Sequence, residues 1–440
     1  MQATRDDAPA GGRPRSVLVI AAEFPPLGGG GVIRVTKLVK YLSRLGWDVD
    51  VVCSDEPLAD AVDHTLLEEL PAAVTVHRVR PPLHGVARAA TAGAKRRLPR
   101  QAVWFRTLFR ARQATRAALA IPDRWLPWAL TIGRTQHRRQ APPSIIIGSG
   151  PPHSVHVAGA MLSRRWHVPY VADLRDEWTL RPLTRSRLPW RRAIERRLER
   201  WCLARAAAVV VVSDASRERY EARYPSLRGR IEVIPNGYDP EDFAAPPAAS
   251  SPRQTLTLGY SGSFQVGTDV RPLFEGIGAA VAAGVGGRAV RFEMVGPFLP
   301  EQVGLARDVI ASDALTVGSF VPHRAALALM TDWDVLCVVA TDGSASLAGK
   351  LYECLALRRP IVVVAPEGPA TRLVTELGAG TVADPRDARS IRAAIEAALA
   401  MAGPGFVGPS ENALAPFDRR RQAERWSQLL DTLIARSPRD

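Results

Sequence analysis

The sequence predicts an α/β protein made of two successive domains, each an open, doubly wound parallel sheet. Short apolar runs of strand length alternate with amphipathic stretches of helix length, a pattern typical of parallel α/β layers. The alternation is interrupted by a stretch rich in Pro, Ala and Ser, residues 239–254, and then restarts with the same scheme. The chain has 440 residues, which is more than a single domain of roughly 100–200 residues needs. Together these observations predict two Rossmann-like domains.

The first half carries seven predicted strands. Its first strand is followed by a glycine-rich turn and a helix that Gly46 ends, and AAVVVVSD reads as a continuous buried strand. The predicted strands span residues 17–24, 48–54, 74–80, 144–150, 169–176, 207–214 and 231–237, and the predicted helices span 32–45, 155–166 and 188–206.

The second half repeats the scheme. Its strands are predicted at residues 255–264 (with the turn that follows), 291–297, 315–320, 334–340, 360–366 and 380–384, with helices between them, one at 347–357. Residues 417–434 place Trp426, Leu429 and Leu433 at helical spacing, which predicts a helix packed on a core. The predicted organisation is a disordered tail (1–15), an N-terminal domain (16–238), a linker (239–254), a C-terminal domain (255–415) and a final helix (416–440).

Composition excludes several classes of protein. With 46% hydrophobic and 23% charged residues the chain is globular rather than disordered. It lacks an apolar run long enough for a membrane-spanning helix, and its first fifteen residues lack the apolar centre of a signal peptide, so we expect a cytoplasmic protein. The four cysteines are scattered singly, and His153 and His156 have no further ligand nearby, so we expect neither disulfides nor a metal site.

The basic charge is concentrated in one segment. Of the net charge of +14, residues 84–140 contribute +12, from thirteen Lys and Arg and one acid, Asp123. Because Trp104 and Phe105 lie among these arginines, we hypothesise that the segment brings the protein to an anionic membrane as a peripheral protein. There are two alternatives. The apolar residues could pack on the first domain while the arginines face water, or the segment could bind an anionic soluble acceptor. No nucleic-acid-binding motif accompanies the charge, so we expect no nucleic-acid partner.

Two groups of candidate site residues follow strands of the first half, where ligands bind in open α/β sheets. EFPPLGGGG, residues 23–31, would let backbone N–H groups approach a phosphate or sugar; the alternative is a flexible turn. Asp173, Arg175 and Asp176 end an apolar strand, where charges are unfavourable unless paired. They are either a structural ion pair or polar groups of a cleft.

Two further groups follow strands of the second half. Gly262 and Ser263 are small enough for a diphosphate to approach the backbone closely. Lys350 lies in the first turn of a predicted helix, where a cation opposes the helix dipole, so its position favours phosphate binding. Glu353 lies on the same helix face and could bind the hydroxyls of a ribose.

Several blocks together resemble the bacterial glycosyltransferases of family 4. In order along the chain they are the glycine-rich loop after EFPP, PPHS…PYVADLRDEW, VVVVSDASRERY, IEVIPNGYDPEDF, GYSGSF and GKLYECLALRRPIVVVAP. The resemblance covers about residues 16–400. It implies a GT-B fold with two Rossmann-like domains facing a cleft, a nucleotide-diphosphate sugar bound by the C-terminal domain, an acceptor bound by the N-terminal domain, retention of anomeric configuration, and a last helix that crosses back to the first domain.

The resemblance also implies roles for single residues. The implied donor contacts are Gly30, Gly31, Gly262, Ser263, Arg271, Lys350, Leu351 and Glu353, the implied catalytic residues are Asp173, Arg175 and Asp176, and the implied acceptor contacts are Glu23, His153 and Trp178. Glu353 corresponds to the second Glu of the family's Glu-x7-Glu motif, whose first position is Ala345 here. Arg271 is the only cation near the position of the usual Arg and Lys, and Arg175 or Asp176 stands where a histidine is common.

The predicted function is therefore retaining transfer of a sugar from a nucleotide-diphosphate donor to a hydroxyl group. The acceptor would be a lipid-linked or polysaccharide glycan, or alternatively a soluble secondary metabolite. Protein cations and N–H dipoles can stabilise the leaving diphosphate, so no metal or other cofactor is expected. The Asp332–Asp334 pair is interpreted as a capping or loop pair. Two less favoured functions are a sugar-nucleotide epimerase and a non-enzymatic binder of nucleotide sugars.

Overall fold

A computed structural model describes residues 15–55, 62–81, 121–135, 141–180, 188–243, 254–264, 268–340 and 349–437. The predicted tail, most of the basic segment 84–140, residues 244–253 of the predicted linker and Ala345 lie outside the described residues.

The first half forms a parallel sheet of seven described strands, with the order β3-β2-β1-β4-β5-β6-β7. The strands are β1 (Ser16–Ile20), β2 (Asp48–Ser54), β3 (Thr75–Val79), β4 (Ile145–Gly150), β5 (Tyr170–Leu174), β6 (Ala208–Val211) and β7 (Ile231–Val233). The described helices are α1 (Gly30–Arg44), α2 (Thr65–Glu68), α3 (Leu126–Thr135), α4 (Ser154–Trp166), α5 (Pro189–Arg205) and α6 (Asp214–Arg223), with 3₁₀ turns at Pro225–Leu227 and Pro240–Phe243.

The second half forms a parallel sheet of six described strands, with the order β10-β9-β8-β11-β12-β13. The strands are β8 (Thr255–Ser261), β9 (Ala289–Val295), β10 (Leu315–Gly318), β11 (Val335–Val339), β12 (Ile361–Val364) and β13 (Gly380–Ala383). The described helices are α7 (Arg271–Ala283), α8 (Pro300–Val309), α9 (His323–Asp332), α10 (Gly349–Ala356), α11 (Pro369–Glu376), α12 (Ala388–Met401), α13 (Glu411–Leu414) and α14 (Arg419–Arg436), with a 3₁₀ turn at Ala415–Phe417.

Both sheets reverse their winding direction next to the first strand of each half. The reversal lies between β1 and β4 in the first sheet and between β8 and β11 in the second. At such a switch point the loops diverge to opposite faces and leave a crevice at the carboxyl ends of the strands. The predicted fold class, two doubly wound parallel sheets, is confirmed.

Several strands end earlier than the sequence predicted. β1 ends at Ile20 rather than 24, and β7 ends at Val233 rather than 237. The residues beyond these ends are still buried, Phe24 and Ile234 among them, although they have left the sheet. Apolar periodicity reports burial and not backbone pairing, so it extended the strands into buried loops.

The last helix, α14, packs against α1 of the first half. Trp426 and Leu430 join the core on that side of the first sheet. At the start of α14 the backbone is tied to the end of the first half, because Tyr238 N donates to Phe417 O at 2.9 Å and Arg419 N donates to Tyr238 O at 3.0 Å. A Cβ on Gly237 would collide with the Phe417 carbonyl, so this crossing requires glycine at that position.

A buried ionic cluster fixes α1 to the segment after β7. Lys37 is fully buried, and its Nζ lies 2.5 Å from Glu69, 2.8 Å from Asp239 and 2.7 Å from Asp242. Lys40 adds a second ammonium, 2.8 Å from Asp239. The three carboxylates are close enough together to hold a metal ion, but the Lys37 ammonium lies among them and is their counterion.

Candidate functional site

A cleft of about 340 Å³ lies between the two halves, at the carboxyl ends of both sheets. The first half contributes the start of α1 and Asp63. The second half contributes the ends of β8, β9 and β11, the segment after β10 and the starts of α9 and α10, and α14 contributes Arg419. The polar or small residues in the lining are Gly29, Gly30, Asp63, Ser261, Gly262, Ser263, Gly296, His323, Gly349, Lys350, Glu353 and Arg419.

The glycine-rich loop begins α1 at the edge of this cleft. Gly29 precedes the helix with a φ of 115°, a conformation that favours glycine, and Gly30 lines the cleft. A side chain on Gly31 would collide with the Arg175 guanidinium, so glycine at this position makes room for that arginine. No acidic residue lies in the first turn of α1, whose leading N–H groups have no partner within the helix.

The turn after β8 forms the opposite wall. Gly262 has a φ of 155° and its N–H donates to Val295 O at 3.0 Å, which ties the turn to the end of β9. The Tyr260 hydroxyl donates to Ser263 O at 3.1 Å. Gly262 and Ser263 are therefore held in the lining as the sequence predicted, and their contacts with donor phosphates remain a prediction.

The start of α10 places a linked set of charged groups in the cleft. Lys350 Nζ lies 2.8 Å from Glu353 Oε2, and Glu353 Oε1 lies 3.0 Å from His323 Nε2. Burial would raise the pKa of Glu353, but the neighbouring Lys350 and His323 outweigh it and hold that pKa well below its usual range. Glu353 is thus a buried, ionised carboxylate at the floor of the cleft.

His323 and Asp63 were missed by sequence reasoning. His323 begins α9, and its backbone N–H donates to Asp63 Oδ2 at 2.7 Å. The other Asp63 oxygen accepts from Thr65 N at 3.0 Å and Thr65 Oγ1 at 2.6 Å. Asp63 therefore joins the first half to the start of a helix of the second half. Neither residue belongs to a local sequence motif. For His323, the only indication in the sequence was its position after Pro322, at the start of a helical pattern.

Asp173 does not line the cleft. It is fully buried at the end of β5, 3.0 Å from Arg34 Nη2, and it accepts a hydrogen bond from Ser149 Oγ at 2.6 Å. Arg34 also donates to the carbonyl oxygens of Ile234 and Pro235, at 3.1 and 2.8 Å. This geometry matches the structural ion pair that the sequence left open as the alternative.

Arg175 and Asp176 lie beyond Asp173, near the start of α1. The Arg175 guanidinium packs against Gly31 and donates to Pro151 O. Burial lowers the pKa of Arg175, and Asp173, Asp176 and Glu23 act against that decrease. Three acidic groups therefore act electrostatically on one partly buried guanidinium. The catalytic roles of Arg175 and Asp176 and the acceptor contact of Glu23 remain predictions.

Two predicted acceptor residues are stacked on each other. The rings of His153 and Trp178 have centroids 5.0 Å apart and an interplanar angle of 4°. His156 lies beneath them, 2.9 Å from the Tyr170 hydroxyl, and burial lowers its pKa to about 3, so it is neutral at physiological pH. Tyr220 fixes the Trp178 loop by accepting a hydrogen bond from Trp178 N at 2.9 Å.

Two predicted donor residues and the Asp332–Asp334 pair lie elsewhere. Leu351 is fully buried in the core of the second half, and Arg271 is an exposed residue at the start of α7. Neither lines the cleft, and their donor contacts remain predictions. Asp334 accepts from Thr257 N at 2.8 Å at the amino ends of β8 and β11, on the sheet edge opposite the cleft.

Comparisons with known proteins agree with this architecture. A sucrose-phosphate synthase from Thermosynechococcus elongatus has 18% identity and a TM-score of 0.63, with 96% of this chain and 99% of that chain covered. A glycosyltransferase from Rickettsia africae has 13% identity and a TM-score of 0.63, covering 96% and 100%. HepE from Anabaena, in complex with UDP, has 17% identity and a TM-score of 0.61, covering 95% and 100%. At these identities the likeness establishes the GT-B fold.

Sequence comparison supplies the class of the protein. No curated protein sequence matches the chain significantly. Residues 29–237, which include the glycine-rich loop of the cleft and the whole β4–β7 region, match the glycosyl transferase 4-like domain. This match shows that the first half of the chain contains a glycosyl transferase 4-like domain and, together with the two-domain GT-B fold, supports an enzyme of the glycosyltransferase class.

Proposed function

We propose that this enzyme transfers a sugar from a nucleotide-diphosphate donor to an acceptor hydroxyl, with retention of anomeric configuration. The observation that carries the proposal is the convergence of phosphate-binding features on one cleft. Two glycine turns, the start of α10 and the Lys350 ammonium all line it. In the transition state, negative charge develops on the departing diphosphate, and N–H dipoles and cations placed there stabilise it.

The donor side offers a distinct surface for each part of a nucleotide sugar. We assign the diphosphate to Gly262, Ser263 and Lys350, because small residues and a cation allow close approach of phosphate oxygens. We assign the ribose hydroxyls to Glu353, whose ionised carboxylate is a strong acceptor. The base would lie between the apolar parts of the lining, which include Pro297, Phe320, Val321 and Ala326. HepE, whose structure contains UDP, shares this fold.

The acceptor side would use the region around Arg175. Trp178 is buried in the core, so of the two stacked rings only the partly exposed His153 could contact the apolar face of a sugar or aglycone, with Trp178 holding it in place. Asp176 and Glu23 lie close enough to act on the Arg175 guanidinium electrostatically and could accept hydrogen bonds from acceptor hydroxyls. We propose a lipid-linked or polysaccharide glycan as acceptor, with a soluble secondary metabolite as the alternative.

The donor class can be tested with the purified protein and a panel of nucleotide sugars. A ligand at 100 times its dissociation constant stabilises a protein by about 2.7 kcal/mol, which a thermal shift readily detects. The stabilising donor is then incubated with candidate acceptors, and NMR of the product gives its anomeric configuration. Failure of every nucleotide sugar and nucleoside diphosphate to bind would contradict the proposal, and an inverted product would contradict retention alone.

We predict that turnover survives removal of divalent metals. Lys350 supplies a cation in the cleft, and Asp334 of the Asp332–Asp334 pair accepts a hydrogen bond from Thr257 N at the opposite sheet edge. Initial rates should therefore agree within about twofold with and without EDTA, since the Lys350 cation and the N–H dipoles of the cleft would stabilise the transition-state charge in place of a metal ion. Loss of activity in EDTA that magnesium or manganese restores would contradict this prediction.

We also propose that the protein binds anionic membranes, as a lipid-linked acceptor would require. Within the described residues no helix is long and apolar enough to cross a membrane. The basic segment 84–140 lies mostly outside the described residues, but α5 has a similar surface of apolar and basic side chains. Trp190 and Ile194 are 47% and 48% exposed, and the two acidic residues of this helix, Glu195 and Glu199, are buried. Its exposed arginines include Arg196, Arg197 and Arg200.

Flotation with liposomes tests this surface directly. Binding to anionic vesicles should fall with salt and weaken when Trp190 and Ile194 are replaced by Ser, because aromatic and aliphatic side chains enter the interface while arginines meet lipid phosphates. Replacement of the exposed Val407 by Ser is the matched control. Equal binding to neutral and anionic vesicles, or none at low salt, would favour a soluble acceptor.

A further inference from the structure

Arg419, the first residue of α14, is a buried cation whose side chain has no partner among the described residues. It lines the cleft and is only 7% exposed. Within the described ranges its guanidinium makes neither a hydrogen bond nor an ion pair; its backbone N–H alone is bonded, to Tyr238 O. A guanidinium has five N–H donors, and burying such a charge is strongly unfavourable unless these donors are satisfied.

The surrounding acids attract Arg419 but are already engaged. Glu353, Asp239 and Asp242 favour its charged form electrostatically, and Arg34 opposes it. Glu353 is bound by Lys350 and His323, and both aspartates are bound by Lys37. Burial lowers the pKa of Arg419 to about 10, so the side chain is still protonated at neutral pH. An anion that enters the cleft therefore meets a desolvated, charged and unoccupied donor group.

We propose that Arg419 binds the diphosphate of the donor, an assignment that rests on the proposed function. The planar guanidinium donates two parallel hydrogen bonds that match the spacing of phosphate oxygens. Arg271, the cation that the sequence offered for this task, is exposed and outside the cleft lining. Arg419 thus supplies from the crossing helix a charge that the turn after β8 does not supply.

This placement also links donor binding to the joint between the halves. α14 packs on α1 of the first half, whereas Lys350 and the Gly262–Ser263 turn belong to the second half. A diphosphate held by both sides would connect the two halves through the ligand.

The test compares Arg419→Gln with Arg421→Gln. Arg421 is an exposed arginine two residues farther along the same helix, and within the described residues its side chain forms neither a hydrogen bond nor an ion pair. Calorimetry measures binding of UDP, GDP and ADP and of the matching nucleosides. For the diphosphate that wild type binds, Arg419→Gln should weaken affinity about 10- to 100-fold, the usual range for losing charged hydrogen bonds. Affinity for the nucleoside, which lacks phosphates, should not change. Arg421→Gln should bind the diphosphate with wild-type affinity. Arg419→Lys keeps the charge but cannot donate two parallel hydrogen bonds, so its affinity should be intermediate.

Thermal unfolding without ligand separates this role from a structural one. Removing an unpartnered buried charge should leave the melting temperature of Arg419→Gln equal to or above that of wild type. A lower melting temperature together with equal losses of affinity for diphosphate and nucleoside would show a structural role and overturn the proposal. Wild-type affinity of Arg419→Gln for the diphosphate would also overturn it. If wild type binds none of the three diphosphates, the proposed donor class itself is contradicted.

Discussion

Replacement of Lys37 by Met is expected to lower the free energy of unfolding by about 3–5 kcal/mol, the range for removing one partner of a buried charge network. The Lys37 ammonium lies within 2.8 Å of three carboxylates, and the side chain is fully buried. Its removal leaves those carboxylates facing one another, with Lys40 near Glu69 and Asp239 and with Arg324 and His323 farther away, at 3.9 Å from Glu69 and Asp242. Urea unfolding, followed by circular dichroism, measures the change.

Arg44→Met is the matched control, because Arg44 lies on the same helix but pairs with Glu241 at the surface. An exposed ion pair contributes roughly 0–1 kcal/mol, so this variant should unfold close to wild type. Added calcium or magnesium should stabilise Lys37→Met and not wild type, because the vacated position between three carboxylates suits a hard cation. Equal stability of the Lys37 and Arg44 variants would show that the cluster does not hold α1 in place.

Removal of the Lys350 charge is expected to give the largest loss of donor use. Lys350→Ala and Glu353→Gln should each reduce kcat/KM by roughly 10- to 150-fold, equivalent to about 1.5–3 kcal/mol for a charged hydrogen bond. Glutamine is chosen at Glu353 because this buried side chain also holds His323, at 3.0 Å. Steady-state kinetics with the donor identified by the thermal-shift panel measures both effects.

Two exposed residues of the same half, Arg307 on α8 and Glu376 on α11, provide the charge-matched controls. Arg307→Ala and Glu376→Gln should keep wild-type kinetics. Because Lys350 and Glu353 touch at 2.8 Å, the double variant should lose less than the sum of the single losses. Wild-type kcat/KM in both single variants, with folding intact, would remove α10 from the donor site.

The sequence alone determined the two-sheet architecture. Its signals were local: apolar runs of strand length, amphipathic helices, and the break and restart near residue 239. The same local signals placed Gly30, Gly262, Lys350 and Glu353 at the starts of turns and helices that follow strands, and these four do line the cleft. Because the carboxyl ends of parallel strands share one edge of a sheet, residues that follow strands come together whatever the details of packing.

Only the tertiary structure decided which charged residues meet across the fold. Asp173 follows a strand as the others do, yet Arg34, 139 positions away, binds it in the interior. In the sequence, nothing distinguishes Lys37 from the other residues of the predicted helix. In the structure its ammonium lies between three carboxylates from two distant segments. Asp63, His323 and Arg419 reach the cleft from three separate elements. Periodicity and motif spacing report what neighbouring residues do. The partner of a buried charge is set instead by long-range packing, because it depends on which distant carboxylate, carbonyl or ligand the folded chain brings within hydrogen-bonding distance.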